Sequence, residues 1–231
     1  MDDEICAFFE EERMYRMIST VTDGGSQISM ERATVFIVDD DVSVRESLEL
    51  LIASEGWRPM LFDSAQSFLE APLLTSPCCL VLDVNMPGLN GLDLQSMISA
   101  SRSRMPIIFV SGFGDIPITV KALKGGALDF LTKPIDTTAL LDAVRSALAQ
   151  SEAMLRDFEA FQSLQRRYRA LTKRECEVMV RVIKGLLNKQ VAFELDISEV
   201  TVKAHRGQVM RKMGARTVPD LVNMAARLQL E

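Results

Sequence analysis

Several residues with chemical capability stand directly after apolar runs of this sequence. Asp39, Asp40 and Asp41 follow TVFIV, Asp83 closes CLVLD, Ser111 closes PIIFVS, and Lys133 lies in FLTKPI. Like charges held a few ångströms apart raise one another's pKa unless a cation sits between them. Mg²⁺ (or Mn²⁺) suits such a group, because a hard cation takes oxygen ligands and is commonly held by one or two carboxylates together with waters and phosphate oxygens. An ammonium, a hydroxyl and a metal around one carboxylate could stabilise the equatorial oxygens of a phosphoryl group transferred to it in line. Asp83 is then the nucleophile and the product an acyl phosphate. A single acid at a strand end is ordinarily solvated surface, but Asp39, Asp40, Asp83, Ser111 and Lys133 occupy matching ends of several strands.

Those ends require a particular frame. From residue 33 to about 135, TVFIV, PMLF, CLVLD, PIIFVS and ALDFL alternate with helix-like segments. Five short apolar strands interleaved with five helices predict an α/β fold, a five-stranded doubly wound parallel sheet with helices on both faces. In that winding the first and third strands are neighbours, and ligands bind at the carboxyl ends of the strands. The pattern from Thr137 to about Tyr168 has no breaker, and Leu141, Val144, Leu148, Leu155 and Phe158 form a stripe interrupted by Ser151. It predicts one amphipathic helix that runs on as a linker or pairs with a partner.

The C-terminal part is helical throughout. Thr172 and Glu175 have capping-box spacing before a helix that ends at Gly185. NKQVAFEL predicts a short helix capped by Asn188, DIS a turn, EVTVKAHRGQVMRKM a helix ending at Gly214, and TVPDLVNMAARL a fourth helix capped by Thr217. Two helices joined by so short a turn make a helix-turn-helix. On its second helix Val202, Val209 and Met213 share the core stripe, while Val200, Ala204, Gly207 and Arg211 lie opposite, flanked by Lys203. The outward face of such a helix enters the DNA major groove. Lys203 is the candidate for a base edge or phosphate, Val200 and Thr201 for apolar or hydroxyl contact, and Arg211 and Lys212 for phosphates.

Charge divides the chain in the same way. Residues 166–231 hold 14 Lys and Arg against 7 Asp and Glu, whereas residues 1–165 hold 12 against 25. The overall net charge of −6 thus conceals a basic module suited to polyanions behind an acidic one. Hydrophobic residues at 48% are ample for buried cores, yet no apolar run approaches the roughly 18–20 residues of a membrane span. The acidic start MDDEICAFFEEERM is unlike a secretory signal peptide. Four cysteines without a C-x-x-C pair, beside one histidine, indicate a reducing, cytoplasmic setting with Cys78 and Cys79 as core residues.

VDDD, LDVNMPGLNG, FVSG and LTKP, in that order, resemble the flavodoxin-like receiver domains of bacterial two-component response regulators. LTKRECEV, GLLNKQVAFELDIS and EVTVKAHRGQVMRKMGA are similar to the DNA-binding domain of the FixJ/NarL/LuxR class, with FixJ-like and StyR-like members nearest. The resemblance implies Asp83 as phosphoacceptor, Asp40 as direct metal ligand, Asp39 as the second acidic residue and the Asn85 backbone carbonyl as third ligand. It implies Lys133 and Ser111 as phosphate contacts, and Ser111 and Phe130 as the switch pair. Asp41 falls outside the pocket and starts the first helix, where its charge favours the helix dipole.

The expected organisation is an N-terminal extension over 1–32, a receiver over 33–150, a linker helix over 151–167 and an all-α four-helix helix-turn-helix domain over 168–231. The expected function is a phosphorylation-dependent transcriptional regulator, an activator by class, that is no enzyme beyond its own phosphoryl transfer and dephosphorylation. Its partners would be a histidine kinase, double-stranded DNA, RNA polymerase and a second copy on phosphorylation, with no membrane. Two alternatives are a Mg²⁺-dependent phosphotransferase or phosphatase using an aspartyl phosphate, and a constitutive DNA-binding protein with a vestigial receiver.

Overall fold

A computed structural model describes residues 32–72, 74–101, 105–112 and 116–230, the side chains of 99–101 excepted. The expected extension over residues 1–32 therefore lies outside the described residues but for Arg32. Strands β1 (Thr34–Val38), β2 (Arg58–Phe62), β3 (Cys78–Asp83), β4 (Ile107–Ser111) and β5 (Asp129–Thr132) form one parallel sheet in the order β2-β1-β3-β4-β5. Helices α1 (Val42–Ser54), α2 (Ala65–Leu69), α3 (Gly91–Ser101) and α4 (Ile116–Lys124) connect the strands. A fifth, α5 (Thr137–Arg169), follows β5.

The apolar strands are continuous runs because both faces of the sheet are covered. Strand alternation sends Phe36, Val38, Leu80, Leu82 and Phe109 into a core shared with residues of α2, α3 and α4. Val35, Ile37, Val81, Ile108 and Val110 enter a second core with Leu48 and Ile52 of α1 and Leu140, Val144 and Leu148 of α5. Cys78 and Cys79 follow the same alternation, buried on opposite faces.

The register explains the row of functional residues. Val38 pairs with Leu82, so Asp39 and Asp83, one position further, leave their strands side by side. Asp83 pairs with Val110 and Ser111 with Thr132, and the Lys133 N–H donates to the Ser111 carbonyl at 2.8 Å. Local chemistry places α1 directly after the acids: the Asp41 carboxylate caps it by accepting from the Ser43 N–H at 2.9 Å.

Helices α6 (Lys173–Ile183), α7 (Asn188–Leu195), α8 (Glu199–Met213) and α9 (Val218–Arg227) enclose a third core of Val178, Met179, Val182, Val191, Val202, Val209, Met213 and Leu221. Reciprocal capping boxes open α6 at Thr172 and Glu175 and α9 at Thr217 and Asp220. The expected cap of α7 is corrected: Asn188 is already helical and Leu187 is the N-cap, its N–H donating to Gln190 Oε1 at 2.8 Å. The Asn188 side chain instead accepts from the Arg206 guanidinium at 3.0 Å, joining the start of α7 to α8.

Candidate phosphoryl and nucleic-acid sites

Asp39, Asp40 and Asp83 offer carboxylate oxygens that all lie within 4.8 Å of one another. At that separation each pair of charges repels by about 3 kcal/mol at an effective dielectric of about 20, so the cluster needs a counter-charge. Lys133 supplies part of it, with its ammonium 2.7 Å from Asp39 Oδ2 and 3.1 Å from Asp83 Oδ1. The Asp41 N–H donates to Asp39 Oδ1 and the Asn85 N–H to Asp83 Oδ2, at 2.9 and 3.0 Å. Both carboxylates are thus held on both oxygens, and both are buried, whereas Asp40 is exposed. Three converging carboxylates, one of them open to solvent, fit the oxygen-ligand preference of a hard divalent cation.

Burial pushes the Asp83 carboxyl above the usual carboxylate range, opposed by Lys133 and reinforced by the Asp39 charge. Burial alone would lower the Lys133 pKa, but its hydrogen bonds to Asp39 and Asp83 hold it above the ordinary lysine value. Ser111 is fully buried at the end of β4, with the Asn85 side-chain amide 3.5 Å from its Oγ. Phe130, half-buried in β5, leans on Phe109 with ring centroids 6.2 Å apart.

Gly91 explains part of the LDVNMPGLNG motif. A Cβ there would stand 2.3 Å from the Asp83 carbonyl oxygen, so the start of α3 approaches the Asp83 backbone as no other residue could. Gly88 in the same loop has φ +79, the left-handed region in which glycine is least strained.

In the helical module, Asp196 adopts φ 51 and ψ 51 at the end of α7, turning the chain into α8. Ser198 caps α8 through the Thr201 N–H at 3.1 Å, and its Oγ lies 2.8 Å from Thr201 Oγ1. Val202, Val209 and Met213 are buried. Val200, Lys203, Ala204, Gly207 and Arg211 are exposed, with Val200 at 79%. A Cβ added at Gly207 would meet nothing within 4 Å, and the Arg211 guanidinium donates to Gln208 Oε1 on the same helix.

The sequence matches the response regulator receiver domain model over residues 35–145 and the model for bacterial regulatory proteins of the luxR family over 169–225. It is 44% identical to Nodulation protein W of Bradyrhizobium diazoefficiens over 205 residues, which cover 89% of this chain and 90% of that protein. The chain belongs to the LuxR-type response regulators. Transcriptional regulatory protein FixJ of the same organism is 41% identical over 193 residues, 84% of this chain and 94% of FixJ. The solved structure of response regulator StyR superposes with a TM-score of 0.76 at 43% identity, covering 85% of this chain and 99% of StyR. This response regulator is accordingly a transcription regulator with a receiver and a DNA-binding module, in a family of regulators rather than conventional enzymes.

One expected DNA contact has partners within the module as well. The Lys212 ammonium lies 2.6 Å from buried Glu175 Oε2 and 3.1 Å from the Ala170 carbonyl oxygen. The Lys212 side chain is 30% exposed, so the pair with Glu175 leaves part of its ammonium open to solvent. Sequence reasoning also passed over Gly91, Arg206 and Ser151. The last, treated as an interruption of an apolar stripe, is fully buried and accepts from the Cys78 N–H at 3.1 Å.

Proposed function

We propose that Asp83 of this regulator accepts a phosphoryl group from a partner histidine kinase and that the acyl phosphate controls DNA binding by the helix-turn-helix. The observation that carries the reading is the convergence of Asp39, Asp40 and Asp83 at the adjacent ends of β1 and β3 with Lys133 from the end of β5, and Ser111 at the end of β4 between them. An Asp83 oxygen forms the new bond to phosphorus while the bond from phosphorus to the donor breaks, its electron pair leaving with the donor. Lys133, already 3.1 Å from Asp83 Oδ1, contacts the incoming phosphoryl oxygens, and the Ser111 hydroxyl hydrogen-bonds another. Asp40, Asp83 and the Asn85 carbonyl would hold Mg²⁺ (or Mn²⁺), with Asp39 behind them. The bound cation would neutralise charge on the phosphoryl oxygens. Water later hydrolyses the acyl phosphate; its own phosphoryl transfer and this dephosphorylation are the only catalysis assigned to the chain.

Drawing Ser111 toward the phosphoryl group lets half-buried Phe130 turn inward, shifting the surface formed by 116–123, 127–131 and 140–148. Ile116, Val120 and Leu123 are exposed on α4 at helical spacing, which supports that surface as the contact with a second copy. Dimerisation would present two α8 helices to half-sites of a palindromic duplex. Val200, Thr201, Lys203, Ala204 and Gly207 face the bases and Arg211 and Lys212 the phosphates. The division into 33–150, 151–167 and 168–231, a cytoplasmic location and activation through RNA polymerase belong to the same reading. No helix among the described residues is long and apolar enough to cross a membrane.

Intact-mass measurement with acetyl phosphate and Mg²⁺ tests the chemistry. One phosphoryl group is expected on the wild type and none on Asp83→Asn. Equal uptake by both proteins would place the acceptor elsewhere, and absence of uptake by the wild type would mean a vestigial receiver.

A further inference from the structure

Helix α5 belongs to two cores at once. It begins four positions beyond Lys133, and Leu140, Val144, Ala147 and Leu148 pack it against the sheet. Ser151 Oγ then accepts from the Cys78 N–H at the start of β3, the strand whose other end carries Asp83. At the far end Leu164 is buried in the core of the helical module. Its 33 residues make a rod of about 50 Å at about 1.5 Å per residue.

The recognition helix α8 is fastened to the end of that rod by an exchange of cations. The Arg167 guanidinium of α5 donates to the Met213 carbonyl oxygen at 3.1 Å, at the C-terminus of α8. The Lys212 ammonium of α8 donates to the Ala170 carbonyl oxygen at 3.1 Å, at the C-terminus of α5. Each helix thus places a cation on the other's last carbonyls, where the helix dipole is negative and the carbonyls have no partner within their own helix. Gly214 makes the approach possible: a Cβ there would lie 2.7 Å from Arg167 Nη1.

From this geometry we propose that Arg167 is a positioning residue that couples the recognition helix to α5, so that the phosphorylation state of the receiver alters DNA affinity through this contact. The proposal rests on the phosphorylation reading above. Arg167 touches neither the acidic pocket nor the exposed face of α8, so its loss leaves phosphate uptake unchanged. What it removes is the fixed relation between the helix that starts beside Lys133 and the helix that reads the duplex. An element held at both ends can transmit a bias between sites only while both attachments persist.

The test uses the full chain, with and without acetyl phosphate and Mg²⁺, on a duplex selected from a random pool by the phosphorylated wild type. Wild type should gain affinity on phosphorylation by roughly 5–150-fold, the usual span of allosteric coupling. Arg167→Gln should gain less than about twofold while incorporating as much phosphate by intact mass, and Arg167→Lys should recover most of the gain. Thermal melts verify folding. If Arg167→Gln does not fold, Arg167→Met, which keeps the apolar stem, gives the same comparison. A full gain in a folded variant without the cation, or a loss of phosphate uptake with it, would overturn the assignment. A wild type that takes up phosphate without any gain removes the phosphorylation reading itself, and this inference with it.

Discussion

Lys133 stands between two buried carboxylates whose repulsion it offsets, at 2.7 Å from Asp39 and 3.1 Å from Asp83. Replacing it by alanine should lower stability by about 1–3 kcal/mol, the cost of leaving buried charged groups without a partner. Mg²⁺ should restore part of that loss. Urea melts with and without Mg²⁺ check this, and a variant as stable as wild type in metal-free buffer would contradict the role. Gly91→Ala should be harmful for a different reason, because its Cβ must displace the Asp83 backbone. A loss of about 1–3 kcal/mol and slower phosphate uptake by mass are expected. The acids, Ser111 and Lys133 were legible in the sequence because charge after an apolar run is conspicuous. Gly91 was not, because a close backbone approach leaves no mark beyond a glycine in a loop that already contains another.

At the scale of elements, α8 combines an inward stripe with an open face, and Gly207 lies on the open side. Gly207→Ala should therefore stabilise the module by about 0.5–1 kcal/mol, since alanine is the better helix former and its methyl meets nothing. A thermal melt checks it. The Glu175–Lys212 pair joins α6 to α8, and the ammonium together with the Thr172 N–H holds the Glu175 carboxyl below the usual glutamate range. A depressed acid contributes stability that is fully present above its ordinary pKa and is lost as the pH falls below that through its lowered value in the folded protein. Lys212→Met should therefore cost most near neutrality, and its deficit should shrink as the pH falls below about 4, in melts across that range. Helix periodicity and caps were readable, including the capping boxes at Thr172 and Thr217. Asn188 was misassigned because Asn favours N-caps in general, while here Gln190 satisfies the Leu187 N–H and Asn188 is engaged by Arg206. The Lys212–Glu175 pair was not legible, because periodicity locates a side chain on a helix but is blind to a buried acid arriving from another one.

For the whole molecule, alternation of strands and helices was enough to specify the parallel sheet and the adjacency of β1 and β3. The charge division anticipated a basic module beside an acidic one. What the sequence left open was attachment. An unbroken helical pattern from Thr137 onward is compatible with a free linker, whereas the fold ties that helix to β3 through Ser151 and to α8 through Arg167. Such ties depend on single hydrogen bonds between residues 73 and 46 positions apart, beyond the reach of local pattern. The account's central claim is that phosphate on Asp83 changes how this regulator binds DNA. It is tested most directly by the affinity of wild type and Asp83→Asn for one selected duplex, with and without acetyl phosphate and Mg²⁺. A gain of at least about fivefold in wild type alone is predicted; equal affinities in all four conditions, with phosphate present on wild-type Asp83, would contradict it.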